Sequence, residues 1–176
     1  MIAVEVSLAS ASLPDVWLRG PVDGVDPFLE PAAQALLQVA EELPRRLHGL
    51  SVEQLWARPG GAASVGFHAL HVCGATERLL TYARGEALSP EQRQAAAAEA
   101  QASGLDAGAL SARVAAAVTA ALAQLRATPR ERLLDVREVG KLKLPSTVLG
   151  LIYHAAEHAT RHVGQIATTA KLLQAA

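Results

Sequence analysis

Hydrophobic side chains recur mostly every three or four residues along much of the chain, which is the period of an amphipathic helix. Residues 28–50 follow this spacing with Leu29, Ala33, Leu36, Leu37, Ala40 and Leu47. Residues 106–127 follow it with Leu110, Val114, Val118, Leu122 and Leu125. The pattern predicts a long helix in each segment. Pro31 is tolerable in the first turn of the first helix, whereas Pro44 should kink that helix or end its regular part.

Residue types that typically begin or end helices predict further helices between residues 50 and 106. Ser64 is a suitable N-cap for a second long helix that runs up to Gly85. Ser89, which is followed by a proline, opens another helix, and we expect Gly104 to interrupt it. Residues 51–56 fit a short helical turn.

The remaining segments are of two kinds. Residues 130–144 have a mixed, charged pattern that indicates an extended connection over the surface, with room for a short strand. Leu144, Pro145 and Ser146 then start a last helix, which continues to about residue 173. The first 27 residues contain three prolines and two glycines and predict an irregular N-terminal arm. The predicted fold is all-α: a four-helix bundle with an extended N-terminal arm (residues 1–27) and a long connection before the last helix.

Composition narrows this prediction to one domain over residues 1–176. That length is enough to bury a sizeable core without disulfides or metals as staples. Hydrophobic residues make up 51% of the chain but aromatic residues only 3%, so alanine, leucine and valine must form the core. Such a composition favours closely packed helices.

Charge and cysteine content exclude several classes of protein. Sixteen Lys and Arg face seventeen Asp and Glu, without a block of like charge, so we expect no nucleic-acid partner. Cys73 is the single cysteine, which excludes an intramolecular disulfide and a multi-cysteine metal cage. No segment has the pattern of a signal peptide or a membrane span. We therefore expect a cytoplasmic protein.

Histidine is the residue type that suggests chemistry. Five of the six histidines fall in two predicted helices: His68 and His71 in the second long helix, and His154, His158 and His162 in the last. Residues four apart on a helix lie one turn above each other, so His158 and His162 can direct their imidazoles at one ion. A third ligand must then come from another helix.

Both sets of histidines flank the predicted core face of their helix. At about 100° per residue, each set lies roughly 100° from the core stripe of its own helix. The stripe of the last helix consists of Val148, Ile152, Ala155, Ala159, Val163 and Ile166. The stripe of the second long helix consists of Val65, Ala69, Val72, Thr76 and Ala83. Histidines from two helices are therefore expected at the edge of the bundle's interior.

Three neutral imidazoles would leave at least one position of a divalent ion open, which is the feature of a catalytic rather than a structural site. Zinc and nickel suit such ligands best, and iron or manganese would also fit. The alternative is that the histidines are ordinary core or surface residues. Four roles are open for His68 and His154: metal ligation, contact with a metal ligand, proton transfer or packing. His48, near the end of the first helix, is expected to be solvated or to cap that helix.

Other polar side chains near the histidines have ordinary explanations. Cys73 and His71 diverge by about 200° on their helix, so a packed cysteine is favoured over a Cys/His nucleophile. Glu157 and Arg161 are spaced for an ion pair on a solvated face. Tyr82 and Gln165 lie on the histidine flanks, where a contact with a bound ligand and simple packing are both open.

Two motifs carry a resemblance to a known family: SVGFHALH at residues 64–71 and HAAEHATRHVGQ at residues 154–165. They resemble the DinB-like (DinB/YfiT) superfamily of metal-binding four-helix bundles, from about residue 27 to the carboxyl end. The resemblance implies that His71, His158 and His162 are metal ligands. Val163 stands where the family often has an arginine, although Arg161 lies nearby.

The resemblance also implies a function. Characterised relatives include transferases and isomerases that use bacillithiol or mycothiol, so this chain is expected to be a metal-dependent thiol S-transferase acting on a small electrophile. A metal-dependent hydrolase and a non-catalytic metal-binding stress-response protein are the alternatives. Relatives often dimerise, which implies a homodimer. No residue is assigned a catalytic role at this point.

Overall fold

The structure is a computed structural model that describes residues 14–175. Its helices are α1 (Glu30–Leu47), α2 (Val52–Trp56), α3 (Val65–Arg84), α4 (Pro90–Ala98), α5 (Ala107–Ala127) and α6 (Val148–Gln174). Two strands, β1 (Val136–Val139) and β2 (Leu144–Thr147), form an antiparallel hairpin between α5 and α6.

The four long helices pack around one core. Helix α3 contacts α6 and α5, and α1 contacts the same two helices. Fully buried leucine, isoleucine and valine side chains fill the space between them, including Leu36, Leu110 and Ile152. The chain is mostly helical, as predicted, and the hairpin is its one sheet within the described residues.

Side-chain caps set the starts of the helices. Ser64 and Ser89 cap α3 and α4 as predicted, and each serine accepts a hydrogen bond from a backbone N–H three residues on. Helix α3 ends at Gly85, whose φ of +83° is a conformation that glycine adopts without steric cost. Every residue of the core stripes predicted for α3 and α6 is buried.

The start of the last helix was predicted wrongly. Residues 144–146 form strand β2, and α6 begins only at Val148, where Thr147 caps it. The strand pairs with β1, with Pro145 opposite Glu138, and a two-stranded sheet has only edge strands, which tolerate proline. The short strand allowed for residues 130–144 is therefore present as one half of a hairpin.

Two helices end elsewhere than predicted. Helix α1 continues through Pro44 to Leu47, so the proline does not end it, although its missing N–H costs the bond to the carbonyl of Ala40. Helix α4 ends at Ala98, well before Gly104, which lies in the following loop with a positive φ.

The described part of the N-terminal arm lies against α1. The backbone N–H of Val16 donates to Gln38 at 2.8 Å, and Arg19 pairs with Glu41 at 2.7 Å. Val16 itself is buried. Residues 1–13 of the predicted arm lie outside the described residues.

Trp56 connects α2, α3 and the loop before α5. Its indole Nε1 donates a hydrogen bond to the carbonyl of Leu105 at 3.1 Å. The ring also covers Gly66 so closely that a Cβ there would lie 2.8 Å from ring carbons. The first turn of α3, which leads to His68 and His71, is therefore held by an aromatic contact.

Helix α5 is the most hydrophobic of the long helices. By length and composition alone it would pass as a membrane span, with a mean hydropathy of 1.4 over 18 residues, of which 33% are buried. A core helix of a soluble protein passes the same test. Its buried face, which includes Leu110, Val114 and Leu125, packs against α1 and α3.

We expect Ile166→Ala to lower the free energy of unfolding by about 2–5 kcal/mol, because Ile166 is fully buried and truncation leaves a cavity. Leu172→Ala, on the same helix but 60% exposed, should change it by less than about 0.5 kcal/mol. Urea unfolding of both variants measures the difference. Equal effects would contradict the assigned core.

Candidate metal centre

Three histidines from two helices meet at the edge of the core. Helices α3 and α6 contact each other along their buried stripes, and this contact brings His71 next to His158 and His162. The ring centroids are 5.1 Å apart for His71 and His158, and 4.8 Å for His71 and His162. The centroids of His158 and His162, one turn apart on α6, are separated by 4.5 Å. We call these three residues the histidine cluster.

The donor atoms of the histidine cluster are close enough to suit one cation. One ligand atom from each ring lies within 4.8 Å of the other two. Zinc–nitrogen bonds are about 2 Å long, so small side-chain rotations bring three such nitrogens onto one ion. Within residues 14–175, no other set of three histidine, cysteine or acidic side chains has this closeness.

Burial keeps two of these imidazoles in the neutral form. Burial, followed by the nearby His71, lowers the pKa of His158. Burial, followed by His158 and His71, lowers the pKa of His162 to about 4. Neutral imidazole is the form that binds a metal ion. The donor set and the neutral forms of His158 and His162 therefore both fit a divalent cation.

A buried carboxylate contacts the histidine cluster from α3's outer side. Glu99, directly after α4, accepts a hydrogen bond from Nδ1 of His71 at 2.6 Å and another from Nη1 of Arg78 at 2.6 Å. Burial alone would raise the pKa of Glu99, but the bonds from His71 and Arg78 outweigh it and lower that pKa. Glu99 is thus an ionised acceptor, and sequence reasoning missed it.

His68, whose role was left open, contacts a member of the cluster. It is buried, and its Nδ1 lies 2.9 Å from Nδ1 of His162. Burial, followed by His71, lowers the pKa of His68, so both rings are neutral at neutral pH and one Nδ1 donates while the other accepts. If His162 binds through Nε2, its Nδ1 carries the proton and His68 is the acceptor.

His154 lies outside this arrangement. Its side chain is 49% exposed and its Nδ1 is 3.3 Å from the carboxylate of Glu157. Glu157 also pairs with Arg161 at 2.7 Å, which confirms the predicted ion pair on the solvated face. His48 is likewise exposed, at the end of α1.

The other candidate side chains have ordinary surroundings. Burial raises the pKa of Cys73 to about 11, and its thiol donates to the carbonyl of Ala69. This is the packed cysteine that the sequence predicted. Tyr82 is half-buried against the core and Gln165 is exposed. Phe67 stacks on His71 with centroids 5.3 Å apart, an apolar wall that sequence reasoning did not assign.

Two cavities lie beside the histidine cluster rather than around it. One, of about 480 Å³, lies between α3, α4 and α5, and its walls include Gly74, Glu99 and Arg113. The other, of about 390 Å³, lies between α1 and α6, and its walls include Glu157 and Arg161. Small molecules therefore have room beside Glu99, which contacts His71, and beside Glu157 and Arg161 on α6.

Comparison with known proteins identifies one matching family. A model of the DinB superfamily matches residues 35–166, about three quarters of the chain. The matched region contains the whole histidine cluster, together with His68 and Glu99. No curated protein matches the chain.

We expect the metal-free protein to lose stability as the pH falls from about 6.5 to about 4. His68, His158 and His162 have lowered pKa values in the folded chain, so in this window the unfolded chain binds protons that the folded chain does not. Carboxylates with lowered pKa values, such as Glu99, add to the loss in the lower part of this window, so the share of the histidines must be measured with a histidine variant. Urea midpoints across the window measure the loss.

His162→Gln should make this pH dependence shallower, because it removes the histidine whose pKa is lowered to about 4. His48→Gln, at an exposed position, serves as the matched control and should leave it unchanged. An unaltered slope in His162→Gln would refute the assignment.

Proposed function

This chain belongs to the DinB superfamily, and we propose that its histidine cluster binds one divalent metal ion and serves the transfer of a small thiol to an electrophile. The observation that carries the proposal is the convergence of His71, His158 and His162, from two helices, to within 4.8 Å of one another. We further propose that the four long helices are the family's four-helix bundle.

The residues of the chain would hold the ion as neutral ligands. Three imidazoles leave coordination positions open, unlike a closed structural site, and zinc or nickel suits them best, while iron or manganese would also fit. A divalent ion bound there would lower the pKa of a small thiol or water that reaches an open position. Phe67, stacked on His71, excludes water from one side of that ring.

A thiol from solution is the nucleophile in this proposal. Cys73 cannot take that role at neutral pH, because burial raises the pKa of its thiol to about 11 and the thiol donates a hydrogen bond to the backbone carbonyl of Ala69. In the transfer, the thiol gives its proton to water and its sulfur forms a bond to the electrophilic carbon. The leaving group departs with the electron pair of the bond that breaks.

Three properties expected from the sequence stay predictions: a homodimer, a cytoplasmic location and the absence of a nucleic-acid or membrane partner. Light scattering of the purified protein tests the first of them. None of them is needed for the chemistry proposed at the histidine cluster.

We expect the purified, metal-stripped protein to bind one Zn²⁺ or Ni²⁺ per chain. His158→Ala should weaken this binding by more than the roughly 10- to 100-fold that loss of an outer contact costs. His154→Ala, one turn earlier on α6 and half exposed, is the matched control and should bind normally. Calorimetric titration of the three proteins measures the affinities. Equal affinities in His158→Ala and the wild type would overturn the proposed site.

We expect the zinc-loaded protein to conjugate a low-molecular-weight thiol to an electrophile such as a chlorodinitrobenzene, and His158→Ala to lose this turnover. A panel of thiols with this electrophile, followed by absorbance, tests it, with His154→Ala as the control. Hydrolysis of ester substrates without thiol turnover would replace the proposal with a metal-dependent hydrolase. Metal binding without any turnover would replace it with a metal-binding protein of the stress response.

A further inference from the structure

Glu99 is buried in a part of the chain that otherwise lies on the surface. It is the only buried residue from Arg84 to Ala109, the whole crossing from the end of α3 to the start of α5. Its exposed fraction is 7%. Burial of a charged carboxylate costs free energy unless hydrogen bonds compensate for it, so such a group points to a specific role.

The partners of Glu99 stand on one face of α3. His71, Gly74 and Arg78 are spaced three and four residues apart, so they lie one above another along that face. Arg78 donates to Oε1 of Glu99 at 2.6 Å, and His71 uses the other oxygen, Oε2, at 2.6 Å. A Cβ at Gly74 would overlap Oε1 of Glu99, so only glycine leaves room for this approach.

Helix α4, which delivers Glu99, has no buried residue of its own. Its hydrogen bonds to α3 are made by a polar side chain: Gln92 donates to Glu77 and to Thr81, both at 2.9 Å. Without an apolar face to bury, α4 gains little from the hydrophobic effect. The carboxylate of Glu99 is therefore a main attachment of the α4 end to the rest of the molecule.

We propose that Glu99 is a positioning residue for the metal site, and that metal binding in turn strengthens the docking of α4. Glu99 holds the proton of His71 on Nδ1, which leaves Nε2 as the nitrogen free to bind the ion. Arg78, which donates to the other oxygen, keeps the carboxylate turned towards His71. This inference rests on the proposed metal site and extends it to a segment outside the histidine cluster.

The coupling follows from the chemistry of the imidazole. A cation on Nε2 makes the Nδ1–H a stronger donor, and its charge attracts the ionised Glu99. If Glu99 docked through His71 raises metal affinity, then metal on His71 must raise the affinity of α4 for its docked position by the same factor. If the Arg78–Glu99 ion pair were only structural, Glu99 would not change the metal affinity and the metal would not change the docking of α4.

Metal affinity tests the positioning role. We expect Glu99→Gln to bind Zn²⁺ about 10- to 100-fold more weakly than the wild type, because the loss of a hydrogen-bond partner of a metal-bound histidine usually lowers metal affinity by that factor. Glu91→Gln, exposed on the first turn of the same helix, is the matched control and should bind as the wild type does. Gly74→Ala keeps the carboxylate but displaces it, so it should reproduce the loss.

The tautomer of His71 and the amide exchange of α4 provide readouts that a structural ion pair would not move. In ¹⁵N spectra we expect the neutral His71 ring to carry its proton on Nδ1 in the wild type and to become a mixture in Glu99→Gln. Zn²⁺ should slow amide hydrogen exchange in residues 90–98 of the wild type, and should have less effect in Glu99→Gln. Thermal unfolding of the metal-free variants checks that each is folded.

The outcomes separate this inference from the proposed function. A wild type that binds no Zn²⁺ overturns both. Wild-type affinity in folded Glu99→Gln, with unchanged exchange of α4 on Zn²⁺ binding, overturns only the role of Glu99 and leaves the histidine cluster as the metal site.

Discussion

The contact between α3 and α6 is the constraint on which the rest of the structure depends. The two helices contact each other, and Ala69 on α3 and Ala155 and Ala159 on α6 are all buried. Small side chains let two helix backbones approach closely, which brings residues on their flanks within reach of each other. The imidazoles gather there because the two flanks face the same side. Partial burial then lowers the pKa values of His68, His158 and His162, so the packing that places these three rings also keeps them neutral.

Local periodicity predicted that His158 and His162 lie side by side and that a flank of α3 faces them, and the family resemblance selected His71 on that flank, but neither predicted the surroundings of the cluster. His158 and His162 are one turn apart, and the core stripes placed both histidine-bearing flanks correctly. Glu99 left no such signal, since it follows a run of alanines and lies 28 residues from His71 in sequence. Its burial comes from two donors on another helix, an arrangement that no spacing rule describes.

The same division holds for the fold. Caps such as Ser64 and Ser89 act through bonds within one turn, so the sequence predicted those helix starts correctly. The start of α6 was misplaced because Leu144 and Ser146 pair with a strand that precedes them, and this pairing overrides their helical pattern. Pro44 shows the reverse case: it removes one backbone hydrogen bond, yet α1 continues to Leu47, with Leu43 and Leu47 on either side of it buried in the core.

The position of Trp56 makes it an intrinsic fluorescent probe of the crossing from α4 to α5. The two tryptophans differ in environment, since Trp17 is 64% exposed whereas Trp56 is half-buried. The indole of Trp56 is bonded to Leu105, six residues beyond Glu99, and lies flat on the first turn of α3. Its emission thus depends on whether the crossing from α4 to α5 rests on the helix that carries His71. A loosened crossing would expose this indole to water and shift its ultraviolet emission to longer wavelengths, which distinguishes the two states without any added dye.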